Sequence, residues 1–383
     1  MGVKIGFAGD FCPQARIEQL FLDNNWKPAF EEVRELFSEN QLSIVDMECP
    51  LIKGGRPIPK SGPNLKSLPE TAEILSYLGV DIVATANNHF FDYEKEGMLS
   101  TFEALGLHNI QWVGSGMNLE QASKPLIVEL NGLRFAIINA TENEWSTTHG
   151  DQPGTNPMEP VHLFRQITES KKVADFAIVI AHGGYEFYNL PSKRIKELYH
   201  FFVDAGADAV ISHHTHTISG HEVYKQCPIF YGIGNFCFDM PGKRDNPWNF
   251  GQLVQLDFTK GQPIGFTYSF IEQNNEEPVI RVIEGEEYEK LNSLVLELND
   301  IILDDDRLQK AFTEYCNSIG GVYRTWIQPY SGKYLASMFK RGFLPSLLGK
   351  TKRRLITNLI RSESNRDVLL SALEKEITGW SKK

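Results

Sequence analysis

The sequence lacks four features, and each absence closes off a class of protein. No apolar run approaches the roughly 20 residues that a helix needs to cross a bilayer. Basic residues are outnumbered, 38 Lys and Arg against 49 Asp and Glu, giving a formal charge of −11. A nucleic-acid binder ordinarily carries a basic footprint instead. Cysteine is scarce: five in 383 residues, odd in number and without CxxC spacing. That argues against a disulfide framework and for reduced thiols. The chain opens on Val3-Lys4-Ile5-Gly6-Phe7-Ala8, a core-strand pattern without the apolar segment of a signal peptide. A cytoplasmic setting is expected. Internal repeats and low-complexity tracts are also missing.

What is present is the composition of a globular chain, 42% hydrophobic and 23% charged, with ample material for a core. Short apolar strands alternate with helical patterns at Trp26–Phe37, Glu70–Leu78, Gly97–Leu105, Val161–Lys172 and Ser192–Ala205. Asn131-Gly132 between two apolar runs marks a hairpin. Strands with intervening helices and flanking hairpins indicate an α/β sandwich with mixed sheets. From Glu284 the texture becomes helical, so residues 1–283 are expected to form the main domain and 284–383 a helical extension. In the extension Lys340, Arg341, Lys350, Lys352, Arg353, Arg354 and Arg361 interleave with leucines and isoleucines. Such a segment is either a solvated helix face or a peripheral contact with an anionic surface.

The polar residues of interest fall where apolar strands stop, the edge at which α/β sheets gather ligands. Ala209-Val210-Ile211-Ser212 runs into His213-His214-Thr215-His216, where His214 and His216 can turn toward one point. Taken alone, the motif is equally a surface histidine cluster. Asp10 follows the first strand and is either a turn cap or a metal ligand. Cys12, two residues on, is a buried thiol or a thiolate at the same site. Glu48 precedes Pro50, which stops the strand ladder. Val80–Ala86 ends in Asn87-Asn88-His89, with Asp92 placed to hold the His89 imidazole in one tautomer. Phe176–Ala181 ends in His182-Gly183-Gly184-Tyr185-Glu186, and Gly234-Asn235 follows a later strand. Between these motifs, Ile52–Pro69 is a long Gly/Pro-rich loop carrying Arg56, Lys60 and Lys66. It is a solvated loop or a lid that meets an anionic substrate.

Mixed carboxylate, amide and imidazole donors suit Mn, Fe or Zn better than a thiolate-rich structural zinc site does. The candidate metal ligands are Asp10, Glu48, Asn88, His182, His214 and His216. Two metals about 3.5–4 Å apart supply a nucleophile at neutral pH and clamp both oxygens of an in-line displacement. His89, held by Asp92, is the candidate general acid. Lys60, Arg56, Glu186 and Asn235 are the candidate substrate contacts.

The order and content of these motifs resemble the calcineurin-like metallophosphoesterase superfamily, and within it the CapA branch of poly-γ-glutamate capsule biosynthesis proteins. The resemblance spans roughly residues 3–272. It implies a four-layer αββα sandwich with two divalent metal ions. By position, one ion takes Asp10, Glu48 and His216, and the other Glu48, Asn88, His182 and His214. Three departures stand out: Cys12 sits where the superfamily has His, Glu48 where it has Asp, and Gly183 where the branch has Trp. With Cys12 in the His slot, either both ions or only one is held. The expected function is a metal-dependent hydrolase of a phosphoester or an amide-linked anionic polymer. The alternative is a non-catalytic metal-binding factor in capsule or cell-surface polymer biosynthesis.

Overall fold

Segments that are apolar at consecutive positions can only be satisfied inside a sheet covered on both faces. The computed structural model, which describes residues 2–326, 334, 338, 341, 343–345 and 347–380, places them there. In chain order the strands are β1 (Val3–Cys12), β2 (Leu42–Met47), β3 (Ile82–Ala84), β4 (Gln111–Val113), β5 (Ser115–Gly116), β6 (Leu126–Leu130), β7 (Leu133–Thr141), β8 (Gly154–Thr155), β9 (Phe176–His182), β10 (Ala209–His213), β11 (His221–Tyr224), β12 (Cys227–Phe230), β13 (Asn235–Phe238), β14 (Phe250–Phe258), β15 (Gly265–Gln273) and β16 (Ile280–Val282). Every residue of β2 and β9 is buried. By contrast β6, an edge strand, alternates between half-buried and exposed residues.

One sheet has the order β16-β15-β14-β1-β2-β3-β4, with β13 pairing β1, and a second has the order β11-β12-β10-β9-β7-β6. Both are mixed: the first is parallel from β1 through β4 and antiparallel on its β14-β15-β16 side, and the second is parallel in the middle with an antiparallel strand at each edge. Phe7, Ile44 and Ile82 of the first sheet meet Phe135, Ile178 and Ile211 of the second in one apolar layer. The outer face of the first sheet packs Val45, Met47 and Val83 against helical Val33, Phe37, Leu75 and Met98. Helices Pro160–Ser170 and Lys193–Asp204 lie along the second sheet, where the Tyr199 hydroxyl meets Ser212 Oγ at 2.8 Å. The arrangement is the expected four-layer αββα sandwich.

Local details differ from the pattern-based expectations. β1 continues to Cys12 instead of stopping at Ala8, because β13 gives its second half a parallel partner. Trp26–Phe37 is divided into a short turn at Lys27–Ala29 and a helix at Glu31–Ser38, since Phe30 (φ −121°) leaves the helical region. The chain forms two compact units: residues up to Ile58 with Asn64–Gln309, and Pro59–Pro63 with Lys310 onward. The change of texture at Glu284 is therefore not the edge of the first unit. Helix Gly285–Ile302 buries Val295, Leu298 and Ile302, and its Asn299 accepts from the His221 amide at 2.6 Å. The second unit contains helices Lys350–Arg361 and Glu363–Trp380, with Leu359 and Val368 buried. Of the basic residues expected there, Lys340 lies outside the described residues, as does Tyr330, the expected start of the last helical stretch.

Candidate metal centre

Strand register assembles the site. Asp10 of β1 is paired with Asp46 of β2 on one side and with Asn235 of β13 on the other. In the second sheet His182 of β9 is paired with His213 of β10. The β1 register shifts on both sides of Asp10, an irregularity of the kind that re-aims a side chain. Gly9 permits it: a Cβ there would sit 1.9 Å from the Gly234 carbonyl oxygen. Beyond β10 the chain bends sharply, and His214 (φ 86°) and His216 (φ 54°) both occupy left-handed backbone. Non-glycine residues rarely do so, and when they do it is often at functional sites.

The donors converge in a buried cluster. Asp10, Asp46 and Glu48 are fully buried, and His182, His213, His214 and His216 are each at most 5% exposed. Ligand atoms of Glu48, His214 and His216 lie within 4.8 Å of one another, as do those of Asp10, Asp46 and His213. His213 Nδ1 is 3.1 Å from Asp10 Oδ1, and the His214 amide donates to Asp10 Oδ2 at 3.3 Å. His216 Nδ1 faces Asn235 Oδ1 at 2.9 Å and Asp10 Oδ2 at 3.1 Å. With Nδ1 so engaged, Nε2 is the nitrogen turned to Glu48 Oε1, 3.5 Å away. A histidine held through one nitrogen and presenting the other is the usual arrangement of a metal ligand. His182 Nε2 lies 3.1 Å from Asn88 Oδ1 and 3.9 Å from Glu48 Oε1, while its Nδ1 is 3.3 Å from Asp46 Oδ2.

Burial decides the charge states. It pushes Glu48 and Asp46 well above the usual carboxylate range, and the neighbouring Asp10 charge adds to this for both. It drives His182 well below its usual value and His214 down to about 3, each helped by the charge of neighbouring histidines. Both imidazoles are thereby neutral, the form that ligates metal. Asp10 is the exception: burial pushes it up, but hydrogen bonds from His213 and His216 hold it far below the carboxylate range. In turn burial opposes the charge on those two histidines, while Asp10 lifts both above the ordinary value.

Whether the cluster fits metal ions can be judged from its unmet polar atoms. Both oxygens of Glu48, Oδ1 of Asp46, and Nδ1 of His182 and of His214 are buried without a hydrogen-bond partner. Each such group costs about 1–3 kcal/mol, more when charged. Five together, all lone-pair donors, suit cations.

The sequence-derived candidates are placed as follows. Asp10, Glu48, Asn88, His182, His214 and His216 come together in this cluster. Asp46 and His213 join them, although sequence reasoning passed over both. Asp46 stands two residues before Glu48 on an extended strand, and that spacing alone puts both carboxylates on one face. His89 Nδ1 is 2.8 Å from Asp92 Oδ2, which also accepts from the Leu65 amide at 2.7 Å. Asn87 shapes that turn, its Oδ1 accepting from the amides of His89 and Phe90. Glu186 is exposed and near enough to act electrostatically on Glu48, His214 and His216. Asn235 is fully buried between His216 and the Trp248 carbonyl, to which it donates at 3.0 Å. That place suits orienting His216 more than meeting a substrate.

Arg56 is exposed, and Lys60 belongs to the short stretch grouped with the second unit. Lys66 donates to the Gly54 carbonyl at 3.2 Å, fastening the loop to itself. Cys12 is fully buried beside Cys49, Leu65, Phe238 and Trp248, and burial and then Cys49 raise its thiol well above the ordinary value. It behaves as an inert core thiol. Gly183 is hemmed in: a Cβ would meet Glu142 Cγ at 2.7 Å and Met158 Cε at 2.9 Å. The space a tryptophan would need is already filled.

Among the described residues no helix is long and apolar enough to cross a membrane. The PGA biosynthesis protein CapA of Bacillus subtilis is 30% identical over 263 residues, covering 67% of this chain and 68% of its own. The capsule biosynthesis protein CapA of Bacillus anthracis is 32% identical over 218 residues, and the match spans 52% of this chain and 53% of that relative. A putative 5'-nucleotidase from Staphylococcus aureus is similar in structure over 78% of this chain and 58% of its own, with a TM-score of 0.42 at 12% identity. The pattern of the bacterial capsule synthesis protein family PGA_cap matches residues 4–240, the stretch that carries Asp10, Glu48, His182, His214 and His216, and the chain belongs to that family.

Proposed function

We propose that this protein is a metal-dependent hydrolase with two divalent ions, Mn, Fe or Zn, acting on a phosphoester or on an amide-linked anionic polymer of the poly-γ-glutamate kind. The observation that carries the reading is Glu48: fully buried, neither oxygen hydrogen-bonded, and facing His216 Nε2. Asp10, Asp46, Glu48, Asn88, His182, His213, His214 and His216 together offer donors for two ions. Divalent ions held there supply Lewis acidity and a nucleophile at neutral pH. The chain's own residues do the rest. Asp10 and Asn235 fix the ring of His216. Asp92 engages Nδ1 of His89, so Nε2 is the nitrogen that delivers a proton to the leaving group.

The names of the relatives support a carboxylate-rich polymer as the substrate class, since one works in PGA biosynthesis and the other in capsule biosynthesis. A relative from Mycobacterium tuberculosis, 29% identical over 187 residues, is called a probable polyglutamine synthesis accessory protein. That favours the second reading, a metal-binding factor without turnover. The test is to assay the metal-loaded protein on bis-p-nitrophenyl phosphate and on short γ-glutamyl oligomers, beside the Glu48→Gln variant. Hydrolysis of either substrate that depends on Glu48 supports the enzyme. A full complement of metal with no hydrolysis of either supports the accessory role.

A further inference from the structure

Next to His216 stands a small aromatic shelf that the reading above does not use. Trp248 is 2% exposed and its ring lies 4.5 Å from that of His216. Phe187 is 5.8 Å from Trp248 and 6.3 Å from His216, yet 48% exposed. It is held outward by a left-handed backbone (φ 64°) and by an amide bond to the Thr215 carbonyl at 2.9 Å. A half-exposed aromatic ring on a constrained backbone beside buried metal ligands is a surface kept for contact.

Over this shelf sits Lys243, its ammonium 4.0 Å from the Phe187 ring centre and 5.7 Å from that of Trp248. Among the described residues Lys243 has no carboxylate partner. One nearby acid is already committed: Asp239 is fully buried and paired with both Arg16 and Arg244 at 2.8–2.9 Å. A cation–π contact at a partly exposed site is weaker than a hydrogen bond between two charged groups. An arriving carboxylate therefore wins the ammonium without displacing any partner.

We propose that Lys243, Phe187 and Trp248 form a carboxylate-binding subsite at the metal centre, which takes a side carboxylate of a γ-glutamyl chain while its methylenes lie on the Phe187 ring. The inference rests on the polymer reading and names the residue that reads it. A γ-linked backbone passes through two methylenes per unit, so it offers an aromatic ring apolar surface that a phosphomonoester lacks.

The test is calorimetric titration of the full-length, metal-loaded protein with a short γ-glutamate oligomer and with its γ-linked isoglutaminyl counterpart, whose side groups are neutral α-carboxamides. Wild type is compared with Lys243→Gln, Lys243→Glu and Lys243→Arg, each first shown to keep its metal and a cooperative melt. The subsite predicts that wild type prefers the carboxylate oligomer. Lys243→Gln should weaken that binding about tenfold and Lys243→Glu further, Lys243→Arg should stay close to wild type, and added salt should reduce the preference. Equal affinity of all four proteins for the carboxylate oligomer overturns the subsite and leaves the hydrolase reading standing. A wild type that hydrolyses the phosphodiester but binds neither oligomer overturns the subsite together with the polymer half of that reading. If Lys243→Glu does not fold, the Gln and Arg variants carry the comparison.

Discussion

Asp10 and Asp46 are paired across neighbouring parallel strands, both fully buried, and each close to a histidine of the opposite sheet. Their protons are divided unequally: Asp10 is held ionised by His213 and His216, while burial and then surrounding charges, Asp10 among them, leave Asp46 strongly shifted toward its neutral form. Like charges so near cannot both be tolerated without a cation. The pair makes the metal-free protein depend on protons that metal ions would replace.

A pH dependence follows. Asp46, Glu48, His213 and His216 all bind protons more tightly in the folded state. Such groups stabilise below their unfolded pKa, and that stability is lost as pH rises through the folded value. His182 and His214 are shifted the other way, so they cost stability only as pH falls below the ordinary histidine value of about 6.5. The melting temperature of chelator-treated protein should therefore fall as pH rises above about 6.5. Metal-loaded protein should fall less or rise, since metal binding releases protons. Scanning calorimetry with and without chelator checks this; a metal-free protein that grows more stable as pH rises above that value contradicts it.

Backbone contact at the first strand gives a second expectation. Gly9→Ala drives a methyl into the Gly234 carbonyl, which cannot swing aside as a side chain can. We expect a loss of about 2–4 kcal/mol and a weakened metal site, because the next residue is Asp10. Gly150→Ala, with open space around it, should change stability by less than about 0.5 kcal/mol. Urea unfolding of the two variants compares them directly, and equal effects would remove the packing argument.

For His89 the expectation is kinetic. General acid–base groups typically contribute about 10²–10⁴-fold, so His89→Ala should slow a substrate with a poor leaving group by that order while metal content stays intact. A substrate that leaves as a stable anion should suffer much less. Asp92→Asn should act in the same direction and more weakly, since it loosens the ring without removing it. Loss of metal, or equal slowing of both substrates, would make His89 a structural residue.

Much of this was legible in the sequence because apolar strands that end in polar residues are conspicuous, and those ends gather at one sheet edge. Asp10, Glu48, Asn88, His182, His214 and His216 were all visible in that way. Asp46 was not, because within Ser43-Ile44-Val45-Asp46-Met47 it reads as an interruption of a buried strand, and only pairing with Asp10 explains it. His213 was overshadowed by its neighbours; its register with His182 is a cross-strand fact. Asn235 carried the right residue type but not its direction, which depends on β13 lying against β1. At Glu284 the pattern changes from strand to helix, and a pattern along the chain does not tell which unit a helix packs against. Helix Gly285–Ile302 in fact completes the first unit.

The measurement that bears most directly on the central claim is the metal content of the purified chain. After reconstitution with Mn, Fe or Zn and removal of free ions, wild type should hold about two equivalents by elemental analysis. The His214→Ala/His216→Ala double variant should hold less than about half of that. A wild type that retains no metal, or a double variant that retains the full amount, would contradict the account.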